Sequence, residues 1–273
     1  GSDPQQLAAA AQYNVARGAQ VIDINMGCPA KKVCHVQAGS ALLQNEALVA
    51  AILYAVVRAV PVPVTLKTRL GWNDDNRNIA TIARLAEDAG IAALAIHGRT
   101  RTQMYQGRAS YDLIAAVKQT VQIPLWVNGD LSSPQQAMAV WRYTQADGVM
   151  IGRGAQGQPW LFRDLAHYRQ HGRLPEALSV AAHAEMVLQH IAAMHVFYGE
   201  TTGVRVARKH IGWYVAALPS GEDFRRAVNR LDSAAAQYDA LAAYLDVQVQ
   251  TLSAWPCTYR HNSADTTAPA GAT

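Results

Sequence analysis

The sequence predicts a parallel β/α barrel followed by an all-α bundle, and three observations carry that prediction. First, five short β-branched runs, at residues 21–26, 64–69, 93–97, 125–128 and 148–152, recur roughly 25–45 residues apart with Ala/Leu-rich helical stretches between them, the rhythm of βα units. Second, in the first three runs the large aliphatics share one face: Ile22 and Ile24, Val64 and Leu66, Leu94 and Ile96. The opposite face carries Asp23, Asn25, Thr65, Lys67, Arg69, Ala95 and His97, where a sheet covered on both sides would want Val or Ile. In a barrel that second face looks into the lumen, and polar side chains at the carboxyl ends of strands are where barrel enzymes keep their active sites. Third, strand-like runs stop after Pro175, leaving only helical periodicity broken at Gly199, Gly203 and Pro219-Ser220-Gly221. The expected organisation is a barrel domain over residues 1–174, a helical domain over 178–254 and a disordered tail over 256–273. On pattern alone a doubly wound open sheet stays open as the alternative.

Composition narrows the function classes. The 273 residues are 50% hydrophobic, 16% charged and 7% aromatic, which excludes disorder as the main state. No apolar run approaches the roughly 20 residues of a membrane-spanning helix, and Gly1-Ser2-Asp3-Pro4 lacks the basic and apolar regions of a signal peptide. Membrane association is therefore not expected. The three cysteines, Cys28, Cys34 and Cys257, form neither a disulfide framework nor a paired zinc motif, so a reducing, cytoplasmic setting without a bound metal is expected. A net charge of +4 is mild, and only local clustering could point to nucleic acid.

Each predicted strand ends in chemically useful residues. Asn25-Met26-Gly27-Cys28-Pro29 places a thiol on a tight turn after the first. A lone cysteine is more often a small buried hydrophobe, but a thiol with an ordinary pKa of about 8.5 is mostly protonated at neutral pH and can act as a general acid. Lys67 and His97 end adjacent strands on the polar face, where two basic groups favour a shared electron-rich ligand. Asn128-Gly129-Asp130 and Gly152-Arg153-Gly154 close the last two runs. Singly these are plain turns as often as not. In barrel order, loops after the last two strands are the usual phosphate site, and Arg153 could add a bidentate contact. A phosphorylated, electron-accepting cofactor of this shape is flavin mononucleotide.

These segments resemble a known family. Asp23 through Val33, Gly39-Ser40-Ala41-Leu42-Leu43, Leu66-Lys67-Thr68-Arg69, His97-Gly98-Arg99-Thr100, Asn128-Gly129-Asp130 and Ile151-Gly152-Arg153 are similar, in order, to motifs of the tRNA-dihydrouridine synthases, and within them to the bacterial synthase B group. The resemblance runs to about residue 245 and implies a flavin-bearing barrel followed by a helical tRNA-binding domain. It further implies that NADPH reduces FMN, that hydride passes to C6 of a uridine in tRNA, and that Cys28 protonates C5. By the same resemblance Lys67 and His97 contact the flavin ring, Asn128, Gly129, Asp130, Gly152 and Arg153 hold the ribityl phosphate, and Asn25 and Arg99 face the substrate. Cys34 and Cys257 receive no role from it. Five strands fall short of the eight that close such a barrel, so the expectation is that Gly1 begins after three earlier strands.

In the helical part, Arg205, Arg208 and Lys209 stand at i, i+3 and i+4, with Arg225, Arg226 and Arg230 following. A basic helical face is usually just solvated. Beside a tRNA-modifying reductase it becomes a candidate phosphate-contacting surface. Two other readings stay open: an FMN barrel oxidoreductase acting on a small pyrimidine-like substrate, and an RNA-binding fragment without activity. A monomer is expected.

Overall fold

Five strands, β1 (Ile22–Asn25), β2 (Val64–Arg69), β3 (Ala93–His97), β4 (Leu125–Asn128) and β5 (Gly148–Met150), form one parallel sheet in the computed structural model, which describes residues 1–256 and Tyr259. They lie where the sequence pattern places them, shortened by up to two residues at the ends. Their order in the sheet is the order in the chain, each strand hydrogen-bonded to the next. A doubly wound sheet reverses strand order at a switch point. This sheet contains no reversal.

Helix α1 (Pro4–Ala16) precedes β1, and between the strands run α2 (Lys31–His35), α3 (Glu46–Ala59), α4 (Ile79–Asp88), α5 (Asp112–Lys118) and α6 (Pro134–Thr144). Asp3 caps α1 by accepting from Gln6 N at 2.8 Å, Pro4 follows at the first helical turn, and Asn45 caps α3 by accepting from Leu48 N at 3.0 Å. Successive helices pack side by side, α1 on α3, α3 on α4 and α4 on α5. Beneath them lies the aliphatic face: Val64, Leu66, Leu94, Ile96, Leu125 and Val127 are all buried. Period-two alternation thus decides which face of the sheet the helices cover.

The described chain divides into two compact units. The first comprises residues 1–131 and 135–152, and the second residues 132–134 together with the chain from Arg153 onward. The division falls at Gly152, earlier than residue 174, so α7 (Leu161–His171) belongs with the helices that follow. Those are α8 (Val180–Val215), α9 (Gly221–Val228) and α10 (Ala234–Thr251). Gly199, at φ 72° and ψ 175°, interrupts α8. His190 Nδ1 lies 2.7 Å from Tyr214 Oη, and a methyl group on Gly203 would sit 3.0 Å from His195 Cα. In a continuous helix those pairs would be about 36 and 12 Å apart along the axis. The two arms therefore fold back on each other as a helical hairpin with Gly199 at its tip. Nearly all of residues 256–273, including Cys257, lies outside the described residues. Among the described residues no helix is long and apolar enough to cross a membrane.

Ile96 is fully buried on the aliphatic face. Ile96→Ala is expected to cost about 2–5 kcal/mol, read as a lower urea midpoint with an unchanged slope.

Candidate active site

Strand register aligns the polar face into rows. Asp23, Thr65 and Ala93 form one, Asn25, Lys67, Ala95, Trp126 and Gly148 the next, and Arg69, His97, Asn128 and Met150 the last, nearest the carboxyl ends. In the middle row the Trp126 indole leans over Gly148, where any side chain would collide with it. The Lys67 side chain is half-buried and makes no hydrogen bond among the described residues. Burial, then repulsion from Arg69, lowers its pKa, and Asp23 partly opposes the shift. His97 is 6% exposed, and burial, with Arg69, Lys67 and Arg99 nearby, depresses it to about 3. Burial thus works against charge on both basic groups, and His97 is an uncharged imidazole at neutral pH.

The thiol sits on a turn whose backbone is held from several sides. Asn25 Oδ1 accepts from Gly27 N at 2.9 Å, and Arg69 Nε donates to Gly27 O at 2.8 Å. Cys28 O accepts from Ser40 Oγ at 2.8 Å and Ser40 N at 3.2 Å, while Cys34 Sγ lies 3.7 Å away. Gly39 has φ +60°, and a methyl group there would lie 2.9 Å from Cys28 O, so the close approach requires glycine. Cys28 is partly exposed and, with Asn25, borders a cavity of about 380 Å³ at the edge strand β1, whose other walls include Leu7 and Ala11 of α1 and Val56 of α3. Sequence reasoning assigned nothing to Ser40 or Arg69. Ser40 lay inside a motif already noted, and Arg69 had the right parity.

Arg99 and Asp130 are bonded to each other. Arg99 is 2% exposed and forms a fork on Asp130, with Nη1 to Oδ1 at 2.7 Å and Nη2 to Oδ2 at 2.6 Å. Its remaining donors go to Gln106 O at 3.0 Å and Gly107 O at 2.7 Å. Asp130 also accepts from Ala109 N at 2.9 Å. Burial alone would raise the Asp130 carboxyl, but these hydrogen bonds outweigh it and hold the group below the ordinary carboxylate range. An ionised carboxylate repels phosphate, and a guanidinium whose donors are engaged by the protein has little left for a substrate. This pair braces the loop after β3. Gly129 is packed as well, because a methyl group there would meet Tyr111 Oη and Ala109 Cβ at 2.9 Å. Asn128 Nδ2 donates to Met150 O at 2.8 Å and ties β4 to β5. Gly152, in contrast, borders open space, and Arg153 opens a short 3₁₀ turn in the second unit.

In that unit the three expected cations also separate. Arg208 Nη2 donates to Leu231 O and Asp232 Oδ1, both at 3.0 Å. Arg205 and Lys209 are exposed and make no hydrogen bond or ion pair among the described residues. Arg225 and Arg226 are paired with Glu222. Among the described residues no group of His, Cys, Asp and Glu could hold a metal ion.

The depressed His97 pKa carries a stability consequence. Between the unfolded value near 6.5 and the folded value of about 3, the unfolded chain binds a proton that the folded chain refuses. Its contribution is complete above pH 6.5 and declines as the pH falls toward 3. His97→Asn is expected to flatten that part of the dependence of Tm on pH, and an unchanged profile would mean that His97 is charged in the fold.

Comparison with known proteins fits this geometry. A family model described as dihydrouridine synthase matches residues 1–251. The tRNA-dihydrouridine synthase B of Pseudomonas aeruginosa is 58% identical over 237 residues, covering 87% of this chain and 71% of the relative. That of Xanthomonas campestris pv. campestris is 57% identical over 249 residues, 91% of this chain and 75% of the relative. That of Vibrio cholerae is 54% identical over 246 residues, 90% and 76% respectively. With its thiol turn and polar strand ends in place, this chain belongs to the dihydrouridine synthase family.

Proposed function

We infer that this chain is a tRNA-dihydrouridine synthase, an oxidoreductase that reduces the C5=C6 bond of a uridine in tRNA. The observation that carries the reading is Cys28, partly exposed on a turn held by Ser40 and Arg69 directly after Asn25, in a chain matched to the family over residues 1–251. The five sequential strands, with helices following one another along one face, are consecutive units of a β/α barrel in this reading. The helices after Gly152 form the tRNA-binding part.

The cofactor that fits the polar face is FMN, with NADPH as its reductant. A half-buried ammonium without an acceptor is costly unless an electron-rich group comes to it, and Lys67 is in that position. His97, neutral at working pH, offers one N–H and one lone pair beside it. The open space at Gly152 leaves room for the ribityl phosphate against its backbone, with Arg153 next in the chain. Asn128, Gly129 and Asp130 shape the neighbouring loop from beneath. FMN, when bound and reduced, would supply the hydride for C6 of the uracil. Cys28 Sγ then delivers the proton to C5. Asn25, whose Oδ1 is engaged by Gly27 N, keeps its amide donor for a uracil carbonyl. A uridine within folded tRNA must be turned out of its stack to reach this site. Arg205 and Lys209 supply phosphate contacts. A tRNA substrate places the reaction in the cytoplasm, and the protein acts as a monomer.

Incubation of the purified protein with unmodified tRNA, FMN and NADPH tests the reading. A gain of two hydrogens on one uridine is expected by mass spectrometry, and an unaltered nucleoside profile refutes it. Cys28→Ala is expected to leave flavin reduction by NADPH intact while slowing the reaction with tRNA by roughly 10²–10⁴-fold, the range of general acid catalysis. Anaerobic stopped-flow absorbance separates the two half-reactions, and equal loss in both removes the acid role. Arg205→Ala with Lys209→Ala is expected to weaken tRNA binding and reduce the log–log salt slope by roughly 1.5–2. Arg208→Ala is expected to lower Tm as well, because its guanidinium anchors the segment at Leu231 and Asp232.

A further inference from the structure

The tip of the α8 hairpin presents three consecutive apolar side chains to solvent: Val196 is 86% exposed, Phe197 81% and Tyr198 47%. Consecutive helical residues are about 100° apart, so they fan around the arm. The inward position at this level is already filled by Met194, which is buried, and by His195, whose Nε2 lies 2.8 Å from Gln237 Oε1. Core packing within the helical unit therefore does not require an aromatic at 197 or 198. The two rings touch edge to face, with centroids 4.9 Å apart and planes 86° apart. Even with that contact most of the Phe197 ring stays open to solvent. Tyr198 Oη makes no hydrogen bond among the described residues.

We propose that Phe197 and Tyr198 form a stacking platform for an unpaired nucleobase of tRNA. The proposal rests on the reading of the chain as a tRNA-modifying enzyme. Charge around the tip selects this occupant. Glu200, the first acid after the rings in the chain, accepts from Ala234 N, the first residue of α10, at 2.7 Å. The next exposed charges along the returning arm are Arg205 and Lys209, both cationic and without a protein partner among the described residues. Aromatic faces for bases beside cations for phosphates are the combination by which proteins hold unpaired nucleic acid. A protein-docking patch would instead be expected to extend in aliphatic side chains. Here Val196 is the single aliphatic of the run, and Gly199 and Glu200 follow directly after Tyr198.

Stacking differs from both simple burial and phosphate contact in what it tolerates. Binding of a fluorescently labelled, unmodified tRNA transcript, measured by anisotropy across a salt series, reads the difference. Phe197→Ala is expected to weaken binding about fivefold or more at every salt concentration, with the salt slope unchanged because no phosphate contact is lost. Phe197→Trp is expected to bind within about twofold of the parent, whereas Phe197→Leu, apolar but without a π face, is expected to resemble the alanine variant. Because the side chain is exposed, all three are expected to keep the parent's circular dichroism and Tm. Parent-like binding by Phe197→Ala or Phe197→Leu overturns the platform. So does sedimentation of the parent as a dimer that Phe197→Ala dissociates, which would make the tip a self-association face. Failure of the parent itself to bind tRNA overturns the functional reading first, and the platform with it.

Discussion

A buried guanidinium organises the chemistry of the first unit. Arg69, at the end of β2 and 2% exposed, donates from Nε to Gly27 O at 2.8 Å and from Nη1 to Thr100 O and Met104 O at 3.0 and 2.8 Å. A charge placed there without partners would be prohibitive, so the loops that supply those carbonyls must come to it. One is the thiol turn and the other is the segment after β3. The Tyr105 ring closes over the same cation, 5.5 Å from its centre. The position of Cys28 is thus tied to a loop more than 70 residues away through one side chain.

Arg99 does for the outer part of that loop what Arg69 does for its base, with a difference that matters electrostatically. Its charge is balanced by the Asp130 fork, whereas Arg69 is held by neutral carbonyls. The polar face therefore keeps an excess of positive charge from Arg69 and Lys67. That field, added to burial, holds His97 neutral. Kept neutral in this way, histidine can serve as a hydrogen-bonding group without adding a further cation.

The helical unit follows a different logic. Its hairpin is stabilised along the seam, where Val187, Ile191, Val204, Ala207, Ile211 and Val215 are buried and the His190–Tyr214 and His195–Gln237 contacts give polar groups partners. Gly221 begins α9 where any side chain would strike the Val215 carbonyl. Along the seam, packing and polar partners account for the residues present. At the tip they do not, since apolar rings face water there.

The sequence by itself determined the strands, their parity and the identity of the thiol turn, because these depend on short-range regularities: an alternation of two, and a Gly/Pro-framed turn directly after a strand. It also determined that strand-like runs stop after Pro175, and among the described residues only helices follow. Tertiary structure decided which polar groups remain available. Arg99 and Asp130 are 31 residues apart, Arg208 and Leu231 23 apart, and Cys28 and Ser40 12 apart, and no local pattern records such pairings. Lys67 and Arg69 illustrate the division. Two residues apart and of the same parity, they are indistinguishable to pattern reasoning, yet one is held by three carbonyls from distant loops and the other is left open to a ligand. The physical reason is that a hydrogen bond depends on where two groups meet in space, while periodicity specifies only which way each one points.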